Sequence, residues 1–209
     1  MSLAALHVRI RATEITAWPD DVQAHAFALP VISVPVSPAA LGYVAAGPLP
    51  ASHDADLFPK LGVKSWQESG RLRIIPARQP LADHVAARLA TPTRQQLMLH
   101  GAWGEAALHL HLFAAQDFTA ISEARYLVAG GIAARSNLCL RGPNAEPIVA
   151  KAAEYALALA TGAAARLASG SVIVQIAFEP TGRVSIVDIN PALTPAQVDL
   201  LAQVPQKVT

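Results

Sequence analysis

Apolar and polar residues alternate with a period of two along several short stretches of the chain, the pattern of strands with one face buried. Leu97-Met-Leu-His and Leu108-His-Leu-His-Leu-Phe show it most clearly. Two hairpins are marked by their turns. Ala124-Arg-Tyr-Leu-Val-Ala and Ile132-Ala-Ala-Arg-Ser-Asn-Leu flank Gly130-Gly131, a dipeptide suited to a two-residue turn of positive φ. Ser171 to Phe178 and Arg183 to Asn190 flank Glu179-Pro-Thr-Gly, which reads as a type I turn closed by glycine. A helical period replaces the alternation twice. Leu81, Val85 and Leu89 predict a short amphipathic helix, and Ile148 to Leu167 predicts the longest one, with Ile148, Ala152, Tyr155, Leu159 and Ala163 on one stripe.

Prolines break up the first third. Pro19, Pro30, Pro35, Pro38, Pro48, Pro50 and Pro59 exclude a long helix there and leave short strands and turns. Val31-Ile-Ser-Val-Pro-Val is expected at a sheet edge, because Pro35 has no N–H for a ladder. Pro38 to Val44 suits one or two helical turns, Gly47 to Asp56 a polar loop, and Leu57-Phe-Pro-Lys-Leu and Arg71-Leu-Arg-Ile-Ile two short strands. The order of elements predicts an α+β fold of two lobes, approximately residues 24–105 and 106–209, with mainly antiparallel sheets.

Composition narrows the function. The chain of 209 residues is 53% hydrophobic and 15% charged, enough to bury a core without metal or disulfide staples. Sixteen basic and 15 acidic residues leave a net charge of +1, with no cationic run, so neither nucleic acid nor a membrane surface is an expected partner. The most apolar long stretch, Pro147 to Gly170, is interrupted by Lys151, Glu154 and Arg166 and reads as a soluble helix. The first residues carry no export-signal pattern, and a cytoplasmic location is the expectation.

Candidate chemistry gathers at the last hairpin. If Phe178 pairs with Arg183, then Gln175, Asp188 and Asn190 share one face with Ile173, Val184 and Ile186, while Val172, Val174, Ile176, Phe178, Val187 and Ile189 form the other. A carboxylate placed there needs a partner. Mg²⁺ holding a phosphate fits the Asp-x-Asn oxygens, and a loop cap or an arginine would serve as well. Lys60 and Arg125 sit among apolar neighbours and suit phosphate binding, although a cation snorkelling to the surface has the same pattern. His109 and His111 face one way and with His100 suggest a zinc cluster or solvated imidazoles. Cys139 reads as a small buried hydrophobe. No serine elbow and no Gly-x-x-x-x-Gly-Lys loop is present.

Leu57-Phe-Pro-Lys-Leu, Glu123-Ala-Arg-Tyr-Leu-Val and Val172 to Pro191 resemble, in order, signature segments of the cell division cycle protein 123 family, part of the ATP-grasp superfamily. The resemblance runs from about Trp18 to Asn190. It implies two α+β lobes around a nucleotide cleft. Lys60 would then contact the ATP phosphates and Arg125 the terminal one. Gln175, Asp188 and Asn190 would hold Mg²⁺, and the adenine would lie near Leu108 to Phe113, against His109, Leu110 and Leu112. Gln175 departs from the family, which has an aspartate there, and Lys64-Ser-Trp-Gln-Glu-Ser replaces a serine-proline-aspartate loop. The implied function is that of an ATP- and Mg²⁺-dependent carboxylate–amine ligase working through an acylphosphate. Its acceptor would be an unidentified small molecule or protein. The alternative is a non-catalytic binding or assembly module whose nucleotide is structural or residual.

Overall fold

The structure, a computed structural model, describes residues 2–39, 42–61, 74–89, 108–167 and 170–197. The expected strand at Leu97 to His100, most of Arg71 to Ile75, the Lys64 to Ser69 loop and the Cys139 side chain lie outside the described residues. The fold is α+β, built on two four-stranded antiparallel sheets. The chain divides into two compact units. The first comprises Met1–His7, Pro30–Ala115 and Thr194–Thr209; the second comprises Val8–Leu29 and Gln116–Leu193. Among the described residues no helix is long and apolar enough to cross a membrane.

The first unit holds β1 (Ile32–Ala39), β2 (Gly42–Ala45), β3 (Leu57–Leu61), α3 (Leu81–Leu89) and β4 (Leu108–Ala114). Its strand order is β2-β1-β4-β3. Pro38–Ala39 and Gly42–Val44 are therefore paired antiparallel strand and not the expected helical turns, with Val36 opposite Ala45 and Ser37 opposite Val44. The strand containing Pro35 is also internal, between β2 and β4. The Pro35 carbonyl accepts the Ala46 N–H at 2.7 Å, so its ring nitrogen faces that same side and the ladder to β4 loses no donor. Pro59 obeys the same logic on the edge strand β3. Leu57 exchanges both its hydrogen bonds with Ile75 on the outer side, so the nitrogen of Pro59, two residues on, also faces away from β4.

One face of this sheet is apolar: Val34, Val36, Leu57, Leu110 and Leu112 are buried. Helix α3 packs beside β2 with Leu81, Val85 and Leu89 buried, as their spacing predicted. Because β4 pairs with both β1 and β3, it belongs to the first unit, whereas the expected boundary near 105 placed it in the second.

The second unit holds the short α2 (Asp20–Gln23), β5 (Ser122–Ala129), β6 (Ile132–Arg141), α4 (Ala150–Arg166), β7 (Val172–Phe178) and β8 (Val184–Pro191). A further helix, α1 (Leu3–Ala12), not among the expected elements, is capped by Ser2, whose hydroxyl accepts the Ala5 N–H at 3.3 Å. The sheet order is β6-β5-β7-β8. Gly130 and Gly131, at φ 57° and 78°, make the tight turn that the dipeptide predicted. The outer edge of β8 is capped by residues 25–27: the Ile186 N–H donates to His25 O and Phe27 N–H to Ile186 O, both at 2.7 Å. That contact satisfies an edge that would otherwise be open to pairing.

Helix α4 covers one face of the sheet, where Ala124, Tyr126, Val128, Val172, Val174, Ile176, Ile186 and Ile189 are buried. The helix buries Ala156, Ala160 and Ala163, not the whole expected stripe; Tyr155 is 49% exposed. Alanine has no side chain beyond Cβ, so the helix axis approaches the strands closely, and that approach sets which positions face inward.

Candidate functional site

The other face of the second sheet carries the chemistry. Its register places Arg125 of β5 opposite Gln175 of β7, and Gln175 opposite Asp188 of β8. The three residues form one row across adjacent strands, with neighbouring backbones about 4.8 Å apart. Asn190 pairs with Ile173 and Glu123 with Ala177, so both share that face.

The row depends on an irregularity. Phe178 pairs with Val184, not Arg183, and the ladder then runs to Ile176–Ile186 before shifting, so that Gln175 meets Asp188 and Val187 is the extra residue. Without that bulge the 178–184 register would pair Asp188 with Val174 and turn its carboxylate into the apolar face. Gln175, Asp188 and Asn190 thus share a face, as expected, but Val184 and Ile186 lie on the opposite one. A second irregularity occurs beside Arg125. Ala124 meets Cys139 and Tyr126 meets Arg135, which leaves residues 136–138 of β6 bowed out against Arg125.

Burial on this face is deep: Gln175 is 1%, Asp188 2% and Glu123 8% exposed. Polar groups so placed require partners. The Asp188 carboxylate accepts the Ile189 N–H at 3.1 Å and the Asn190 side-chain amide at 3.2 Å. The Gln175 amide nitrogen donates to Glu123. Burial pushes the Glu123 carboxyl above its usual range, and the Gln175 hydrogen bond and the charge of Arg125 draw it partly back. Sequence reading passed over Glu123, although it stands two residues before Arg125 on a strand and so had to share its face.

The first unit brings Lys60 into a different row. Ser33 of β1 is opposite His111 of β4, and His111 is opposite Lys60 of β3. Ser33 Oγ and His111 Nδ1 are 2.9 Å apart. Lys60 and His111 are both buried, and the His109 ring stacks near that of His111 with centroids 5.8 Å apart. Leu110 and Leu112 lie on the opposite, apolar face of β4, fully buried. Of the three adenine contacts expected on β4, only His109 therefore has its side chain on the Lys60 face. His100 lies outside the described residues, and among the described residues no group of three or more His, Cys, Asp or Glu side chains is placed to hold a metal.

Two cavities of the second unit lie elsewhere. One of about 400 Å³ runs between α2 and α4 and is lined by Val22, His25, Tyr155, Leu159 and Arg166 among others; a smaller one of about 130 Å³ sits beside the β7–β8 turn. Neither is lined by Glu123, Arg125, Gln175, Asp188 or Asn190.

The Asp188 carboxylate and the amide carbonyls of Gln175 and Asn190 share one face and are oxygen donors, the kind a small hard dication takes, with the Arg125 guanidinium in the same row for a phosphate. The donor types fit Mg²⁺, and Glu123 offers a second negative charge where Gln175 lacks one. No protein-family model matches the chain, and no curated protein matches it at a significant level.

Proposed function

We propose that the chain is an ATP-grasp-like protein that binds Mg²⁺ and ATP. The observation that carries this reading is the row Arg125–Gln175–Asp188 on three adjacent strands, joined by Asn190 on the same face. In this reading Asp188, Asn190 and Gln175 hold the cation, Arg125 meets the terminal phosphate with a bidentate fork, and Lys60 meets the phosphates as a point charge. His109 stands on the face of β4 that would meet the nucleotide base. ATP would supply the phosphoryl group. The chain's own residues would position it and offset charge as it develops, which is how sites without a protein nucleophile accelerate phosphoryl transfer. The reaction class implied is ligation of a carboxylate to an amine, with an unidentified small molecule or protein as acceptor.

A second reading, a non-catalytic binding or assembly module that retains nucleotide, is favoured by Gln175, which removes one negative charge from the cation site. Calorimetric titration with ATP, with and without Mg²⁺, tests what both readings share: Mg²⁺-dependent binding is expected, and no heat or thermal stabilisation at millimolar nucleotide overturns both. Phosphate release across a panel of amino acids and small carboxylic acids then separates them, turnover supporting the ligase and silence the module.

A further inference from the structure

We infer that Glu123 is a positioning residue for the cation site, holding the Gln175 amide so that its oxygen, and not its nitrogen, is presented as a ligand. The inference rests on the proposed Mg²⁺ reading of that face. A carboxylate offers an oxygen whichever way its terminal torsion turns, but a primary amide has one acceptor end and one donor end of almost equal size. An amide in a ligand position therefore faces a problem that the aspartate of the resembled family does not. With its NH₂ end inward it would set two N–H dipoles against a dication.

The structure holds one arrangement. Gln175 Nε2 donates to the Glu123 carboxylate, which leaves Oε1 as the end directed elsewhere. Both side chains are buried, Glu123 at 8% and Gln175 at 1% exposure, so water does not compete freely for either end. An ionised carboxylate accepts and does not donate, so the reversed amide would set an oxygen against an oxygen. The backbone supports the pairing. Glu123 lies opposite Ala177, whose small side chain leaves the diagonal between Glu123 and Gln175 open. Asn190 repeats the device on β8, its Nδ2 donating to the Asp188 carboxylate. Each amide on this face thus turns its nitrogen to an acid of the protein and keeps its carbonyl for another partner.

The test is a mutant cycle read by Mn²⁺ binding, followed by loss of the free-ion electron paramagnetic resonance signal in the presence of a non-hydrolysable ATP analogue. Glu123→Met is made with Gln175 and with Gln175→Asp. Removing a residue that orients a metal ligand costs about 10- to 100-fold in affinity. That loss is expected with Gln175 and is expected to shrink to the common electrostatic effect with Gln175→Asp, because aspartate has no wrong end to present. Glu123→Gln, nearly isosteric, is run through the same cycle and should show the same background dependence at smaller size, which keeps the test readable if the Met variant does not fold. An equal loss in both backgrounds overturns the inference and makes Glu123 a direct ligand or a structural residue. No loss on changing Glu123, when Asp188→Asn does abolish binding, overturns it and leaves the cation reading standing. Absence of Mn²⁺ binding by the unmodified protein overturns the reading and the inference together.

Discussion

Helix α4 turns its alanines to the sheet and leaves Tyr155 half in solvent, and a pair of substitutions measures that arrangement directly. Ala160 is fully buried and faces strands with no long side chain of its own to withdraw. Ala160→Leu forces three extra carbons into that contact, and overpacking of this kind costs about 1–3 kcal/mol. Tyr155 is 49% exposed and lines the cavity beside α2. Complete burial of a large apolar side chain is worth about 1.5–3 kcal/mol, so losing its half-buried ring in Tyr155→Ala should cost about 1 kcal/mol. The assay is equilibrium urea unfolding followed by far-UV circular dichroism, with melting temperature as a second readout at about 2–4 °C per kcal/mol for a chain of this length. Ala160→Leu is expected to be the more destabilising. Had the stripe of Ile148, Ala152, Tyr155, Leu159 and Ala163 faced the strands as their spacing suggests, the order would reverse. A larger cost for Tyr155→Ala than for Ala160→Leu would refute the packing described.

Three further outcomes follow from the same geometry. Burial raises the folded-state pKa of Glu123 above its usual 4.5, so between that value and the raised one the folded protein binds more protons than the unfolded chain and loses stability as pH rises; Glu123→Gln should remove this falling limb in a pH series of urea midpoints, and an unchanged slope contradicts the assignment. Lys60→Met keeps the buried stem but deletes the ammonium, and because a hydrogen bond to a charged group is worth about 1.5–3 kcal/mol, ATP should bind roughly 10- to 150-fold more weakly by calorimetry; unchanged affinity would remove Lys60 from the site. Gly131 sits at φ 78° with open space where a Cβ would lie, so Gly131→Val is costly through backbone strain alone, about 1 kcal/mol or more in urea unfolding, and a neutral result would mean that the turn is not of the tight positive-φ type.

The local signals in the chain were legible and the long-range ones were not. Gly130-Gly131, the alternation from Leu108 and the spacing of Leu81, Val85 and Leu89 each act within a few residues, and each element formed where they pointed. The proline and alanines from Pro38 suit helical turns, but Pro38 pairs with Tyr43 and Ser37 with Val44, a cross-strand pairing that helical spacing does not reveal. Pro35 is tolerated in an internal strand because its carbonyl meets the Ala46 N–H on the side away from β4, so the ladder to β4 misses no donor. Regular alternation from a Phe178–Arg183 pair also puts Gln175 and Asp188 on one face, but the true register is Phe178–Val184 with a bulge at Val187, and that bulge, invisible to alternation, is why Val184 and Ile186 lie on the other face. Alternation alone separates Leu110 and Leu112 from His109, so the three side chains cannot meet one nucleotide from the same face of β4. Glu123 was open to the same rule from Arg125.

The central claim is that Asp188 and its neighbours on the second sheet hold a divalent cation for ATP, and Asp188→Asn tests it, since the amide keeps the size of the buried side chain while removing its charge and one of the two oxygens that accept the Ile189 N–H and the Asn190 amide. Melting temperature is measured with ATP, with Mg²⁺ and with both, for the unmodified protein and the variant. The unmodified protein should be stabilised by the pair beyond either component, and the variant, which sets an amide nitrogen against one of those two donors, should melt lower without ligand yet stay folded and lose that gain. An Asp188→Asn protein stabilised by Mg²⁺ and ATP as fully as the original would contradict the account.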